Sequence, residues 1–598
     1  MSTTSDAQAL AFLNDDQQFR LGFLPTEQSN PKTKDLDKAF SRSTVEGVKL
    51  LLSVDRDITP MARKVFASAE FQRMENAMAE ALLGTGRIIF SGCGATGRLS
   101  ILLESMWRHS APPELKDKVA SLMTGGDYAL IRSVESFEDY GEFGRQQTRE
   151  LGVRAGDVFV AITEGGETYS VLGSVREAAD RGASAFLLFN NPADILREKL
   201  VRCREAIDDP RITTLDLCCG PMAVAGSTRM QATTSEQLIA GAALENALFR
   251  LLQRSDTLKR SGATLSNRLD WISGFERLLD DLVKPDALAA MAEQIEFEET
   301  LYRSQGLVTY CASAGLLDIL TDTTERAPTF TLPPFRNRDD NISPPSWAFV
   351  KDPLLPTPQA WTAHLGRPPR CLNWGRAEYR RMGASARLME DPPKLDADQL
   401  FKFEIGCEQD LSRLSPAGNA AILVILGEEL CNPAFDELDT AFARFSEPYS
   451  LCRRLAIGGD SARSGFLHVP CVTEKSSLSL LGHLAMKLVL NTVSTGTMAR
   501  LGRITGNWMS FVSVSNKKLL DRSVRLIAEL CELDYETACR ELFETMDALN
   551  ARRDAVSRFQ SPAQETISRI RTRNAEVNAS QHISNRGSVS NREKRAIH

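Results

Sequence analysis

The stretch RIIFSGCGATGRLSILLESMWR, from Arg87 to Arg108, limits what this chain can fold into more tightly than any other. Arg87 to Ser91 is a short apolar, β-rich run, the pattern of a strand covered on both faces in a parallel sheet. Leu99, Leu102, Leu103 and Met106 then repeat at helical spacing, and Gly92, Gly94 and Gly97 punctuate the junction. Strand, glycine turn and helix in that order predict a doubly wound α/β sheet. The alternation recurs. VASLMTGG reads as a strand, DVFVAITEGGETYSVLGSVREAADRG as strand, loop and helix, and SAFLLFNNP as another strand ending in a turn.

After GPMAVAGSTRMQATTSEQLIAGAALENALFRLL and a long helical connection, the order starts again. ALAAMAEQIEFEETLYRSQGLVTYCASAGLLDILTDTTERAPTF gives helix, glycine, strand, small-residue turn and helix, which predicts an internal duplication. The expected organisation is an N-terminal arm over 1–45, a first α/β domain over 46–265 and a second over 266–511. The second carries a proline-rich insert at 332–370, and a small helical cap over 512–572 and a disordered tail over 573–598 follow. Within the arm, TEQSNPKTKDLDK reads as extended, ahead of a helical pattern from about Val45 to Leu83. The insert reads as an ordered surface excursion, because it carries Trp347 and Phe349.

Composition narrows the function. At 598 residues, 42% hydrophobic and 25% charged, the chain is long enough for several domains. A formal charge of −7 and a pI near 5.7 argue against nucleic acid and against an anionic membrane, both of which need clustered Lys and Arg. No apolar run approaches the roughly 20 residues of a membrane span, and the start lacks the build of a signal peptide, so a cytoplasmic protein is expected. The 12 Cys are scattered without a CxxC pair, and the 6 His form neither HExxH nor a His–Cys cluster. Neither metal nor cofactor is expected, and acid–base chemistry falls to carboxylates.

GCGATG fits GxGxxG, yet the acidic residue of a dinucleotide site about twenty positions on is missing, and no Gly-Lys-Ser/Thr makes it a Walker loop. Two readings stay open on these residues alone. The turn is an anion cradle, with Gly92, Gly94 and Gly97 admitting a ligand to the backbone, Thr96 offering a hydroxyl and a helix N-terminus behind them, or it is a tight corner with nothing bound.

Taken together, GCGATGRLS, TGGDYALIRSVESFED, TEGGET and GPMAVAGSTRMQATTSEQL resemble, in order and spacing, the sugar isomerase (SIS) domain of the N-acetylmuramic acid 6-phosphate etherase and glucokinase regulatory protein family. TEQSN, HLAMKLVLNTVSTGTMARLGRITGN and VSNKKLLDRSVRLIAELCELDYETACREL extend the resemblance over most of the chain. It implies two tandem SIS domains plus a small C-terminal helical cap, the layout of the regulatory protein. It implies ligand contacts at Gly92, Gly94, Ala95, Thr96 and Arg98 of the turn, and at Thr163, Gly165, Gly166 and Thr168 of a second loop. Ser227, Thr228 and Arg229 of GSTRM and Lys518 of SNKKL complete the implied set.

Of the family's two glutamates, the first repeat keeps only Glu138 of SFED. Met106 stands where the other belongs, and Glu104 is two residues off. The second repeat has no glycine-rich cradle, yet DTTERAPTF keeps Glu325 in the matching place. One composite site, with Glu138 and Glu325 as its carboxylates, is therefore expected between the domains. Gly165 replaces a family hydroxyl, Glu164 and Glu167 bring negative charge, and Gln231 replaces a lysine. These departures favour a sensor of a sugar phosphate or amino-sugar phosphate, similar to the regulatory protein and acting on a partner such as a sugar kinase. The alternative is a carbon–oxygen lyase resembling the etherases, or an aldose–ketose isomerase.

Overall fold

A computed structural model of the chain describes residues 4–132, 134, 136–254, 269–459, 463–512, 514, 516–552 and 560–576. The first unit holds five parallel strands, β1 (Ile88–Gly92), β2 (Val119–Met123), β3 (Val158–Ile162), β4 (Ser184–Phe189) and β5 (Ile212–Asp216), in the order 2-1-3-4-5. Every residue of β1, β2 and β3 is buried, which is why these strands read as unbroken apolar runs. Ile88 pairs with Val119 on one side and Val158 on the other. The helices that concern the site are α1 (Ala95–Ser110), α2 (Gly141–Glu150), α3 (Tyr169–Asp180) and α4 (Gln231–Arg254).

The second unit repeats the plan. Strands β6 (Leu307–Cys311), β7 (Ala348–Lys351), β8 (Asn419–Leu426), β9 (Leu451–Ile457) and β10 (Leu467–Val469) are all parallel and lie in the order 10-9-8-6-7. Counted from its own first strand, that is the same order as the first sheet. Helices α5 (Leu316–Phe330), α6 (Phe435–Ser446) and α7 (Leu480–Arg500) occupy the places of α1, α3 and α4. One apolar core runs through both units, joining Leu238 and Leu244 of α4 to Leu484 and Val489 of α7. Each such fully buried side chain contributes about 1.5–3 kcal/mol, so burial fixes the two units against each other.

Three expectations change. The proline-rich stretch is no excursion, because residues 348–351 within it form β7, the edge strand of the second sheet, with Val308 paired to Ala348. Its flanking prolines hide a strand of only four residues. Beyond β7 the chain reaches the first unit, where Arg367 meets Glu104 at 3.0 Å and Arg370 meets it at 2.9 Å. The N-terminal region is not an extended arm either. Helix Thr4–Asp15, the short turns Pro25–Glu27 and Pro31–Thr33 and helix Leu36–Arg42 bury Phe12, Leu21, Leu24 and Glu27. Its polar residues have matched partners, which composition does not reveal. Finally, the pattern from Val45 to Leu83 divides into three helices, Thr44–Leu52, Ile58–Phe66 and Ala69–Leu83.

At the C-terminal end, α8 (Lys517–Cys531), α9 (Tyr535–Arg552) and a helix at 562–576 form a small apolar cluster of their own, and Phe12 of the N-terminal helix packs into it against Phe543. The helix at 562–576 runs past the expected start of the tail, whose residues 577–598 lie outside the described residues, as does the expected boundary at 265.

Candidate functional site

In a doubly wound sheet the ligand crevice lies outside the carboxyl ends of the strands, where the order of strand addition reverses. In the first unit that place is between β1 and β3, so the turn Gly92–Thr96 and the loop Thr163–Thr168 form its floor. Gly92 is demanded by close approach, since a Cβ there would lie 2.4 Å from the backbone carbon of Thr96. Gly94 leaves open space on the outer side of the turn. Helix α1 begins at Ala95, and its first-turn N–H groups have no acceptor within the helix. Thr96 does not offer its hydroxyl outward. The side chain accepts from the Cys93 N–H at 3.0 Å and donates to the Cys93 carbonyl at 2.9 Å, closing the turn on itself.

Arg98, in the first turn of α1, is buried and donates to the carbonyls of Leu130 (2.9 Å) and Ala129 (3.3 Å) and to the carboxylate of Glu325. Glu325 comes from α5 of the second unit, so this ion pair brings a carboxylate of one repeat to the turn of the other. Glu138 sits on the short turn Phe137–Asp139, which is anchored by Phe137 between Phe143, Trp374 and Tyr379. Its side chain is exposed, yet the surrounding protein still raises its carboxyl above the ordinary value. Desolvation is the main cause, opposed by Lys518 and reinforced by Glu167 and Asp139. Burial raises the Cys93 thiol, and the Glu138 charge adds to the shift.

The second loop is fastened from behind. Thr163 and Thr168 join hydroxyls at 3.1 Å, Gly166 donates to the Thr163 carbonyl, and Asn191 donates both to the Gly165 carbonyl (3.0 Å) and to Thr26 of the N-terminal segment (2.9 Å). Gly166 has φ of 78°, and a Cβ there would meet Leu196 at 2.5 Å. Glu167 accepts from Lys518 at 2.5 Å and from Arg202 at 3.1 Å. Lys518 lies 3.8 Å from Glu27, which also receives two bonds from Arg522 (3.0 and 2.7 Å) and one from Arg525 (3.1 Å). Burial alone would raise the Glu27 carboxyl, but Arg522, Lys518 and Arg525 together hold it at about 2.

Around the crevice, negative charge accumulates. Burial pushes Glu164 up to about 7, against its own backbone N–H, and the Glu325 charge adds to the effect. Glu236 of α4 lies beneath. Asn190 donates to one of its oxygens at 2.9 Å, the other has no hydrogen-bond partner, and burial followed by the Glu164 charge raises it well above the carboxylate range.

Arg229 is engaged across the two units. It is buried, pairs with Asp322 at 3.0 Å, donates to Ser494 and Thr495 and lies over the Phe330 ring, which ties the two units together, while its Nε has no hydrogen-bond partner and the Glu325 charge acts on it. The hydroxyls of Ser227 and Thr228 make no protein hydrogen bond among the described residues and do not cap α4. Gln231 bridges the Ala223 N–H (2.8 Å) and Asp55 (3.0 Å). The positive charge missing at Gln231 is supplied from the second unit, where Lys487 of α7 donates to the Arg229 carbonyl (3.0 Å) and to Thr234 (2.7 Å). Burial lowers Lys487 to about 8 and raises Asp55 to about 6. Glu104 is buried among Arg108, Arg367, Arg370 and Ser121, away from the turn, as its helical offset predicts.

Glu27, Glu236, Asp322 and Lys487 are absent from the set read off the sequence. Glu27 lies within the TEQSN match, and Glu236 follows GSTRM closely, but a lone carboxylate in a helix or polar segment carries no signal of its own.

Two parallel α/β units of one strand order, each with a turn at its switch point, are the frame of a tandem SIS-domain protein, and the comparisons with known proteins give the same class. The family model described as the glucokinase regulatory protein N-terminal SIS domain matches residues 70–178. An N-acetylmuramic acid 6-phosphate etherase of Aliivibrio fischeri is 30% identical over 230 residues, 38% of this chain and 70% of the relative. One from Synechococcus sp. is 32% identical over 232 residues, again 38% of this chain and 67% of the relative. The chain belongs to the glucokinase regulatory protein and N-acetylmuramic acid 6-phosphate etherase family. A putative phosphosugar isomerase from Silicibacter pomeroyi aligns over 75% of this chain and 98% of its own at 12% identity, with a TM-score of 0.38. Among the described residues no helix is long and apolar enough to cross a membrane.

Proposed function

We propose that the chain binds a phosphosugar over the turn Gly92–Thr96, in one site to which both SIS units contribute, and that it acts as a sensor of that ligand. Gly92, Gly94, Ala95 and Arg98 of the turn, Thr163 to Thr168 of the loop, Ser227, Thr228 and Lys518 are the ligand groups. Glu325 and Glu138 are the carboxylates that bond sugar hydroxyls. The observation that carries the reading is the position of Lys518. It projects from α8 and is held without ligand by Glu167 and Glu27. A phosphate entering the crevice competes with Glu167 for this ammonium, so binding shifts the balance of contacts that seat the C-terminal helices and the N-terminal segment. A ligand moves such an equilibrium only by its differential affinity for the two arrangements, and a cation that must exchange partners supplies one. The shifted surface then addresses a protein partner, for which a sugar kinase is the first candidate. The 12 cysteines, all unbridged, suit a reducing cytoplasm.

A second reading, an etherase, rests on a different observation. Glu164, at about 7, stands within the field of Glu325, which is paired with Arg98. A carboxyl raised by burial beside a second, arginine-paired carboxylate offers an acid and a base in one crevice. The two readings separate in one experiment. Calorimetry with a panel of hexose and amino-sugar phosphates is paired with incubation in N-acetylmuramic acid 6-phosphate and a lactate assay. Binding without lactate supports the sensor; lactate release abolished by Glu164→Gln and Glu325→Gln establishes the lyase and rejects it.

A further inference from the structure

The exchange that brings Glu325 to the first turn has a reciprocal. The end of α1 lies against the start of α5, and there Met106 and Ser105 face Ser313, Ala314 and Leu317 across a cavity of about 680 Å³. This cavity is at the switch point of the second sheet, between β6 and β8, as the first site is between β1 and β3. Its floor is the turn after β6 and the loop after β8, the positional counterparts of Gly92–Thr96 and Thr163–Thr168. A volume of this size is ordinary for a small-molecule site.

Its chemistry differs from that of the first site. No Lys or Arg lines it, and the turn reads Ala312-Ser313-Ala314-Gly315, without the glycines that admit a phosphate to the backbone. The loop contributes Glu428 and Glu429, and α6 contributes Glu437. Glu429 is satisfied by the Leu426 N–H at 2.7 Å. Glu428 and Glu437 are exposed to the cavity and form no ion pair among the described residues. Beside Glu428, whose carboxylate lies 3.7 Å from where a Cβ on Gly482 would stand, His483 is held by Asp318 at 2.8 Å through Nδ1; burial lowers the imidazole, but the charges of Asp318, Glu428 and Glu429 outweigh it and raise it, and the second carboxylate oxygen of Asp318, a buried residue, has no hydrogen-bond partner. Among the described residues no three His, Cys, Asp or Glu side chains converge to hold a metal ion. Met106, where a carboxylate enters the first site, joins Leu317 and Leu426 in an apolar wall.

We propose that this cavity is a second ligand site and that it takes an ammonium-bearing polyol without phosphate, of the amino-sugar type. The carboxylates Glu428 and Glu437 receive the ammonium, the imidazole of His483 and the hydroxyls of Ser313 and Ser479 meet the ring hydroxyls, and the apolar wall meets the ring C–H groups. An anion is rejected by the same carboxylates. The inference rests on the cavity alone and does not need the phosphosugar reading.

The test is calorimetry on the full chain with glucosamine and glucose as probes. Glucosamine is expected to bind at least about tenfold more tightly than glucose, which lacks the ammonium, and to lose about tenfold or more in the double variant Glu428→Gln, Glu437→Gln, both at exposed positions. Equal affinity for the two sugars, no binding of either, or unchanged glucosamine affinity in the variant would overturn the proposal. Glucosamine 6-phosphate, titrated into the double variant and into Lys518→Met, reports on the first site separately, so failure of one reading is not mistaken for failure of the other.

Discussion

Replacing Glu27 with Gln tests how the N-terminal segment is held. Glu27 is 1% exposed and its carboxylate faces Arg522, Arg525 and Lys518. A carboxyl at about 2 instead of its ordinary 4.5 represents roughly 3 kcal/mol, at about 1.4 kcal/mol for each pH unit. The amide keeps the shape but leaves Arg522 without a carboxylate, while Lys518 keeps Glu167 and Arg525 keeps Asp521, and breaking a buried pair from one side costs about 3–5 kcal/mol. That cost falls on the docking of residues 4–42 against α8 and α9, so it is read locally. Hydrogen exchange in peptides from Thr4–Asp15 and Tyr535–Arg552, corrected for intrinsic rates, should speed up on the order of a hundredfold at pH 7 while β1 and β8 keep their protection. The pH dependence has a fixed sign. The folded-state value is depressed, so the stabilisation is complete above 4.5 and is lost as pH falls toward about 2, and the variant should converge on the wild type across that window. Exchange within threefold of wild type at pH 7 would refute the reasoning and make the cluster a solvated one.

Lys518→Met should weaken phosphosugar binding by about 1.5 kcal/mol, the low end of the range for a charge-assisted hydrogen bond, because the lysine must first leave Glu167; unchanged calorimetry would remove it from the site. Glu164, charged above about 7 and neutral below, repels a bound phosphate less as pH falls. Affinity should therefore rise several-fold from pH 8 to 6 and rise less in Glu164→Gln, a comparison that cancels the ligand's own titration; equal slopes would exclude Glu164 from the crevice. Gly166→Ala needs positive φ and collides with Leu196, so thermal unfolding should show a loss of about 1–3 kcal/mol, and a neutral result would mean the loop is not fixed as described.

The doubly wound plan was legible because buried parallel strands write themselves as apolar runs, as in Ile88–Gly92 and Val158–Ile162. Strand β7 was not, because four residues between prolines carry too little periodicity to stand out. The fate of Arg98 and Arg229 shows the same limit within the site. Both are arginines at helix starts beside a glycine or a threonine, and nothing local says that one would meet Glu325 over the crevice while the other would meet Asp322 inside the interface. Partner choice of that kind depends on how two units 200 residues apart in sequence come to face each other. The resemblance to a family supplied part of this information for Glu325 and none for Glu27, whose three partners all lie near the far end of the chain.

Phe12, Leu21 and Leu24 are synthesised about 500 residues ahead of α8 and α9, which cover or adjoin them. At about 5–20 residues per second, the roughly 500 residues between them take on the order of half a minute or more to appear. Through that interval both sheets can form while the leading segment waits uncovered, and Glu27 has no cation to meet. The crevice beside Glu167 therefore acquires its final rim only once α8 has been made, so a product stalled before α8 is a molecule with assembled SIS sheets and an exposed, apolar, unanchored leading segment.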